Sequence, residues 1–362
     1  MRALGLCSYP TEAAATRFRL EQFVGPLATH GIELTVSPFL NSLQFKALYK
    51  HGGVFGKVLG LVRPVLKRVS ELFAVGKYDL ILVQREAMIF GPAIFEWLYQ
   101  KLGRVPMVLD LDDATYVRYV SPTYGRIGSF FKFFGKTDNL IKRSELVVSG
   151  NRYIAEYVES KGAESVVIPT VVDTDAFCPI EKSNEIPVIG WIGTHSTYPF
   201  LQSIFPVLER LASKHRFVLK IVGAEVETIK IDGVQIENHE WAMEREIADF
   251  QSLDIGLYPI TISGAANEQW LLGKSGFKAI QYMAVGVPFV MSPVGVCGEI
   301  GVAGITHFNA ETLENWHDSL DRLLSDRTLR SEMGKAARLH SLEHYGREKH
   351  ASALAKALRS VT

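Results

Sequence analysis

Short apolar runs alternate with helix-length amphipathic segments along the whole chain, the pattern of parallel strands covered by helices. In the first half it predicts strands at Ala3–Cys7, Glu33–Ser37, Leu80–Gln84, Met107–Asp110, Leu146–Ser149 and Val166–Ile168. Helices are predicted near Thr16–Thr29, Ala93–Leu102, Ile127–Ile141 and Arg152–Lys161. From Val166 to Pro187 the periodicity lapses while prolines and acids accumulate, as in a linker. The alternation then restarts, with strands at Val188–Ile192, Phe217–Val222, Asp254–Tyr258 and Pro288–Met291. Its helices fall at Pro199–Lys214, Arg245–Ser252, Lys274–Ala284 and Glu311–Leu324, and again from Arg327 onward. The fold class is therefore α/β, two Rossmann-like halves. Ligands of such open sheets lie beyond the carboxyl ends of the strands, so each half should offer one edge to a central cleft.

Composition narrows the classes. A chain of 362 residues exceeds what one core usually supports, which favours two domains. With 47% hydrophobic and 22% charged residues it is neither disordered nor fibrous. Lys+Arg and Asp+Glu are both 39, which argues against nucleic acid as a partner. The balance hides an asymmetry: residues 1–180 carry 21 basic and 17 acidic side chains. Leu34–Ser70 holds Lys46, Lys50, Lys57, Arg63, Lys67 and Arg68 without an acid. Ala114–Thr137 holds Arg118, Arg126, Lys132 and Lys136, also without an acid, among Tyr116, Tyr119, Tyr124, Phe130, Phe131, Phe133 and Phe134. Cys7, Cys178 and Cys297 form no CxxC pair, so a reducing compartment is expected. The first residues lack a signal peptide's apolar run, and no apolar run is long enough to span a bilayer. The expected location is cytoplasmic, peripheral on an anionic membrane face.

Candidate chemistry concentrates in Gly273–Glu299, read as a loop, a helix, a buried strand and a glycine-rich loop. Lys274, Ser275 and Gly276 stand at the expected helix start, with Lys278 one turn on, so amides and ammonium groups could cradle a diphosphate. An ordinary surface helix with solvated lysines is the alternative. Ile189–Ser196 runs from a strand into a turn where Gly193 admits close backbone approach and Thr194, His195 and Ser196 offer polar groups. Gly223 ends a further strand within Ile221–Ala224. Strict GxGxxG and GxxxxGK[ST] fingerprints are absent, which argues against a dinucleotide enzyme or P-loop NTPase.

Tyr282–Pro288, Ser292–Gly295, Glu299–Ile300, Ile168–Phe177 and Leu219–Gly223 together resemble group 1 retaining glycosyltransferases of the GT-B architecture, in a branch found in bacterial surface-polysaccharide clusters. The resemblance spans most of the chain. It implies an acceptor domain over 1–170, a linker over 171–186, a donor domain over 187–344, and a C-terminal helix, 345–362, crossing back to the first domain. It implies donor contacts from Gly193, Thr194, His195, Gly223, Ser275, Gly276, Phe277 and Gln281. Two departures stand out: the family's paired glutamates fall on Gly273 and Gln281, and the Arg and Lys usual after the donor domain's first strand are missing. Gln281 can still hydrogen-bond a ribose hydroxyl, and Lys274 and Lys278 would replace the lost positive charge.

In the first half, Arg17 or Arg19 could meet an acceptor phosphate, although Glu12 and Glu21 are nearby partners; Arg85 and Glu86 follow a strand end. Val108–Thr115 (VLDLDDAT) admits three readings. Asp110 and Asp112 could be a metal-binding D-x-D, or Asp110 a phosphatase nucleophile. By position, though, Asp112 and Asp113 match the family's His-Asp pair. The last reading is favoured because the others leave the second half unexplained, and Asp110 is then structural. No HxxxH or HExxH spacing occurs, and neither metal nor cofactor is expected. Trp191, Trp270 and Trp316 read as core; His239 and Trp241 lie where relatives approach the nucleotide base.

The expected function is sugar transfer, with retention, from a nucleotide-diphosphate sugar to a glycan or lipid-linked acceptor. Asp112, Lys274 and Lys278 are the expected catalytic residues; Arg17, Arg19, Arg85, Glu86 and Asp113 the acceptor contacts. The rivals are a sugar-nucleotide epimerase of the same architecture and an inactive scaffold protein.

Overall fold

A computed structural model of the chain describes residues 1–49, 59–118, 132–182, 184–262 and 265–362. The chain divides into two compact units. One comprises Met1–Thr170, Gly273–Ser275 and Arg347–Thr362; the other comprises Val171–Leu272 and Gly276–Gly346.

The first unit is built on β1 (Arg2–Cys7), β2 (Glu33–Pro38), β3 (Leu80–Gln84), β4 (Met107–Leu111), β5 (Leu146–Ser149) and β6 (Ser165–Val167). These form one parallel sheet in the order β2-β1-β3-β4-β5-β6. The inner strands are buried on both faces, which explains why they read as continuous apolar runs. The helix Arg347–Arg359 groups with this unit and packs on the helix Val24–Thr29, burying Ala351, Leu354 and Leu358.

The second unit carries β7 (Val188–Ile192), β8 (Val218–Val222), β9 (Gln235–His239), β10 (Ile255–Tyr258), β11 (Phe289–Met291) and β12 (Phe308–Asn309). Their order, β12-β11-β10-β7-β8-β9, is that of a doubly wound sheet. The α/β class with two Rossmann-like sheets is thus as the alternation predicted. Trp191 and Trp316 lie in the second core, with Ile189, Leu219, Leu257 and Val290. Residues 171–186 belong to this unit; Arg338 donates to the carbonyls of Thr174, Phe177 and Ala284.

Three predicted helices differ, each for a local reason. Thr16–Thr29 is broken into Ala14–Arg19, a 3-10 turn and Val24–Thr29; Pro199–Lys214 is broken into Tyr198–Gln202 and Phe205–Ala212. In both, a proline (Pro26, Pro206) stands in the first turn of the new helix, where its missing N–H leaves no bond unmade. The helix expected from Lys274 begins at Phe277, because Gly276 takes the left-handed φ of +63°. β9 was not predicted because its burial follows no inward alternation, and β12 has only two residues. The helices Ser42–Tyr49, Val62–Leu72 and Ala265–Leu272 were also missed. Of the predicted helix Ile127–Ile141, residues up to 131 lie outside the described residues; the helix seen there is Lys136–Arg143.

Candidate functional site

Strand order reverses between β1 and β3 in the first sheet and between β7 and β10 in the second. The carboxyl ends of those strands are the natural ligand edges.

At the first edge β4 delivers Asp110 and then Asp112 and Asp113. Asp110 is held by Arg19 through Nε at 3.0 Å and also through Nη2, and Arg19 further donates to the Ile168 carbonyl at 2.8 Å. Both side chains are almost wholly buried. Arg19 therefore braces β4, a correction to its expected acceptor role, and Asp110 is structural. Enclosed in this way, Asp110 is not available as a phosphatase nucleophile.

Asp112 takes a two-pronged bond from Arg85, Nε to Oδ1 at 2.6 Å and Nη2 to Oδ2 at 2.7 Å, and a third from Gln84 Nε2 at 3.0 Å. Arg85 Nη2 also reaches Asp113 Oδ2 at 2.6 Å. Arg85 has φ +61°, a left-handed conformation uncommon for a side chain of its size, which turns the chain as it leaves β3. A Cβ on Gly150 would stand 2.9 Å from Asp112 Cα, so glycine lets the β5 loop close over the aspartate. Burial alone would raise the Asp112 carboxyl, but the charge and hydrogen bonds of Arg85, with Arg19 behind it, hold it below the usual carboxylate range. Burial would lower the Arg85 guanidinium, and the two aspartates push it up instead. Asp112 is thus an ionised carboxylate fixed by Arg85 and Gln84.

The remaining acceptor candidates are also engaged. Arg17 donates to the Thr11 and Glu12 carbonyls at 2.8 and 3.4 Å, and Glu86 pairs with Lys136 at 2.6 Å. Lys136 is buried, as is Arg68, which pairs with Glu71 at 2.8 Å. Neither of these two basic residues is the surface charge the sequence led us to expect. Burial pushes the Cys7 thiol, at the end of β1, up to about 11.

Gly273–Ser275 belong to this unit as well. Asn151 caps the helix Arg152–Ser160 with its Oδ1, and its Nδ2 lies 3.2 Å from both the Gly273 and Lys274 carbonyls. A side chain on Gly273 would collide with Ala114, so the position of the family's first glutamate has no room for one. This cap was not read from the sequence, although Asn after a strand and before a helical run is a cap signal. Gln84 was missed because it read only as the end of a strand.

The second edge is made of glycines. A side chain on Gly193 would meet the Trp191 ring; one on Gly223, whose φ is +82°, would meet the Gly193 carbonyl. The two turns therefore touch backbone to backbone. The amides expected to face a phosphate are partly used: Gly193 N–H donates to Val222 at 3.0 Å and Thr194 N–H to Thr197 Oγ1 at 3.1 Å. His195 Nδ1 lies 3.5 Å from Glu225, both exposed. His239 ends β9 and its carbonyl accepts from Gly223 N–H at 2.9 Å, while the Trp241 Cβ is 3.4 Å from where a Gly223 Cβ would be.

Gly276 opens the helix Phe277–Ala284 in front of Val296 and Ile300. Lys278 points its ammonium at Gln281 Oε1, 3.0 Å away, and over the Phe250 ring at 5.0 Å. Gln281 is fully buried, and its Nε2 lies 3.4 Å from Glu246 Oε1. That corrects two expectations. Gln281 sits within the fold instead of presenting its amide to a ribose, and Lys274 precedes the helix that Lys278 belongs to. Ser275 also precedes it, and Phe277 is its first residue. A surface hollow of about 820 Å³ lies at the amino ends of the first sheet's strands, against Asp79, Pro106 and Glu145, away from all these residues.

No protein-family model and no curated protein matches the chain. Solved structures do. HepE from Anabaena, in complex with UDP and glucose, is 13% identical with a TM-score of 0.70, over 99% of this chain and 100% of that one. A glycosyltransferase from Rickettsia africae is 14% identical with a TM-score of 0.69, over 99% and 98%. Sucrose-phosphate synthase from Thermosynechococcus elongatus is 12% identical with a TM-score of 0.65, over 99% of both. At such identities the likeness is one of fold.

Proposed function

We propose that this chain is a retaining glycosyltransferase that moves a sugar from a nucleotide-diphosphate donor to a glycan or lipid-linked acceptor in polysaccharide biosynthesis. The observation that carries the reading is the whole-length likeness to solved glycosyltransferases, one of them holding UDP-glucose. The doubly wound order of the second sheet and its glycine-ended strands support a nucleotide at that edge. On this reading the diphosphate leaves against Lys278 and the amino end of the helix Phe277–Ala284, with Lys274, Ser275, Gly276 and Phe277 alongside. An oxygen of the departing diphosphate takes the acceptor's proton, so no strong protein base is needed. Asp112, oriented by Arg85 and Gln84, accepts a hydrogen bond from a sugar or acceptor hydroxyl. Transfer proceeds without a metal: the D-x-D carboxylates, Asp110 and Asp112, are already engaged by Arg19 and Arg85. The first unit works at the cytoplasmic face of an anionic membrane, where a lipid-linked acceptor would be met.

The test is a panel of nucleotide sugars screened for thermal stabilisation, followed by assay of free nucleoside diphosphate with and without crude lipid acceptor. Stabilisation with acceptor-dependent nucleotide release supports the proposal. Stabilisation without release or sugar conversion identifies a scaffold, a reading favoured by the missing glutamate at Gly273 and the buried Gln281. Sugar interconversion without release identifies an epimerase. No stabilisation by any donor overturns all three.

A further inference from the structure

The helix Val62–Leu72 lies against the first sheet by one face and leaves a second apolar face that no described residue covers. Its inner face buries Pro64 and Arg68. Arg68 donates to the carbonyls of Cys7 (2.9 Å), Ser37 (3.0 Å) and Ala87 (3.0 Å), at the ends of β1 and β2 and beyond β3. The helix is therefore pinned beside the edge that carries Arg85 and Asp112. Its outer face shows Val62, Leu66 and Val69, and the same spacing continues to Leu59 before it and Phe73 after it. Steps of three and four residues put all five on one stripe. Leu66 is 60% exposed and Phe73 88%, while a buried helix face would hide both. Leu43, 79% exposed on the helix Ser42–Tyr49, adds to the same region, since Gln44 Nε2 donates to the Gly60 carbonyl at 3.0 Å.

Exposed basic residues border the stripe: Arg63 and Lys67 one step round the helix, Lys46 near Leu43, and Lys77 four residues after Phe73. Glu71, the nearest acid, is taken up by Arg68. Lys67 is partly engaged, donating to the Pro38 carbonyl at 2.8 Å.

We infer that this stripe is a membrane-docking face, with an anionic bilayer surface as its partner. The charge pattern selects that partner: an amphipathic helix with basic flanks enters the headgroup region and attracts anionic lipid. A symmetric second copy would set the same basic flanks against each other. Of the aromatic stretch that first suggested membrane contact, Tyr119, Tyr124, Phe130 and Phe131 lie outside the described residues. Phe133 is 44% exposed, but Lys136 is buried. The inference rests on the proposed membrane setting for its choice of partner, and it places the acceptor's lipid beside the Asp112 edge.

The experiment is co-sedimentation of the full chain with vesicles of phosphatidylcholine alone or with phosphatidylglycerol. Wild type should bind only the anionic vesicles and release at high salt. The double variants Leu66→Glu/Phe73→Glu and Lys46→Glu/Arg63→Glu should each lower the vesicle partition constant at least about ten-fold. Both should keep wild-type circular dichroism and donor turnover with a water-soluble acceptor. Anionic binding by wild type that both variants retain overturns the docking face while the membrane setting stands. Equal recovery in the supernatant with both vesicles overturns face and setting together, whatever the donor assay shows. A concentration-dependent dimer lost in Leu66→Glu/Phe73→Glu, without vesicle binding, assigns the stripe to a second copy and also overturns it.

Discussion

At the carboxyl ends of the first sheet the chain gathers Arg19, Asp110, Arg85, Asp112 and Asp113 into mutual pairs; at those of the second it puts Gly193 and Gly223, touching through their backbones. Paired charges are stiff, and they fix where the Asp112 oxygens point. They leave little net field with which to gather a diphosphate. The glycines do the reverse: Gly193 leaves room for the Trp191 ring and Gly223 for the Gly193 carbonyl, so the two turns pack through their main chains. The lesson is that one architecture can fix one strand edge with paired side chains and close the other through backbone contact.

The contrast can be attacked first where its energy is largest. Asp110→Ala leaves Arg19 buried without its partner and should lower unfolding free energy by about 3–5 kcal/mol in urea titration. A loss under about 1 kcal/mol would mean that solvent reaches the pair. Lys278→Ala and Lys274→Ala, assayed separately at subsaturating donor, should each lower turnover roughly ten- to a hundred-fold with the fold intact. Wild-type rates would remove the two lysines from the handling of the diphosphate. Gly223→Ala forces a methyl into left-handed backbone against the Gly193 carbonyl and should cost about 1–3 kcal/mol of stability, with donor affinity falling alongside.

Acid sharpens the same contrast. The folded Asp112 carboxyl lies below its ordinary value, so the pair's contribution is full above the carboxylate range and is lost as pH falls through the folded value. Stability measured against pH should decline on that acid limb, and Asp112→Asn should flatten the decline. An unchanged limb would place the titration elsewhere. The smallest effect is expected from chelation: EDTA should leave transfer unaltered, and activity restored by manganese would reinstate Asp110 and Asp112 as metal ligands.

Strands were legible because both faces of each inner strand are buried, so β3, β5 and β7 read from the sequence with their bounds intact. Helix ends were less legible, since Pro26, Pro206 and Gly276 act through a backbone conformation that an apolar pattern does not encode. The glycines of the second edge could be named from local sequence alone. The pairing at the first edge could not. Arg19 meets Asp110 across 91 residues and Arg85 meets Asp112 across 27, separations over which spacing carries no geometric information. Gln281 illustrates the opposite error: a position taken from a family pattern carried a polar side chain, and the helix turned it inward.

The helix Arg347–Arg359 has a further consequence, in the order of synthesis. Everything else in the first unit is made before the second unit, apart from Gly273–Ser275, yet the cover over the helix Val24–Thr29 is translated only after the second unit. A nascent chain must therefore keep that apolar surface exposed, and open to chaperones, while some 180 further residues emerge. Completion of the first unit is a late, long-range closure, slow by its topology. A stop codon just before Arg347 would spare every described strand and still leave the amino-terminal unit prone to aggregate.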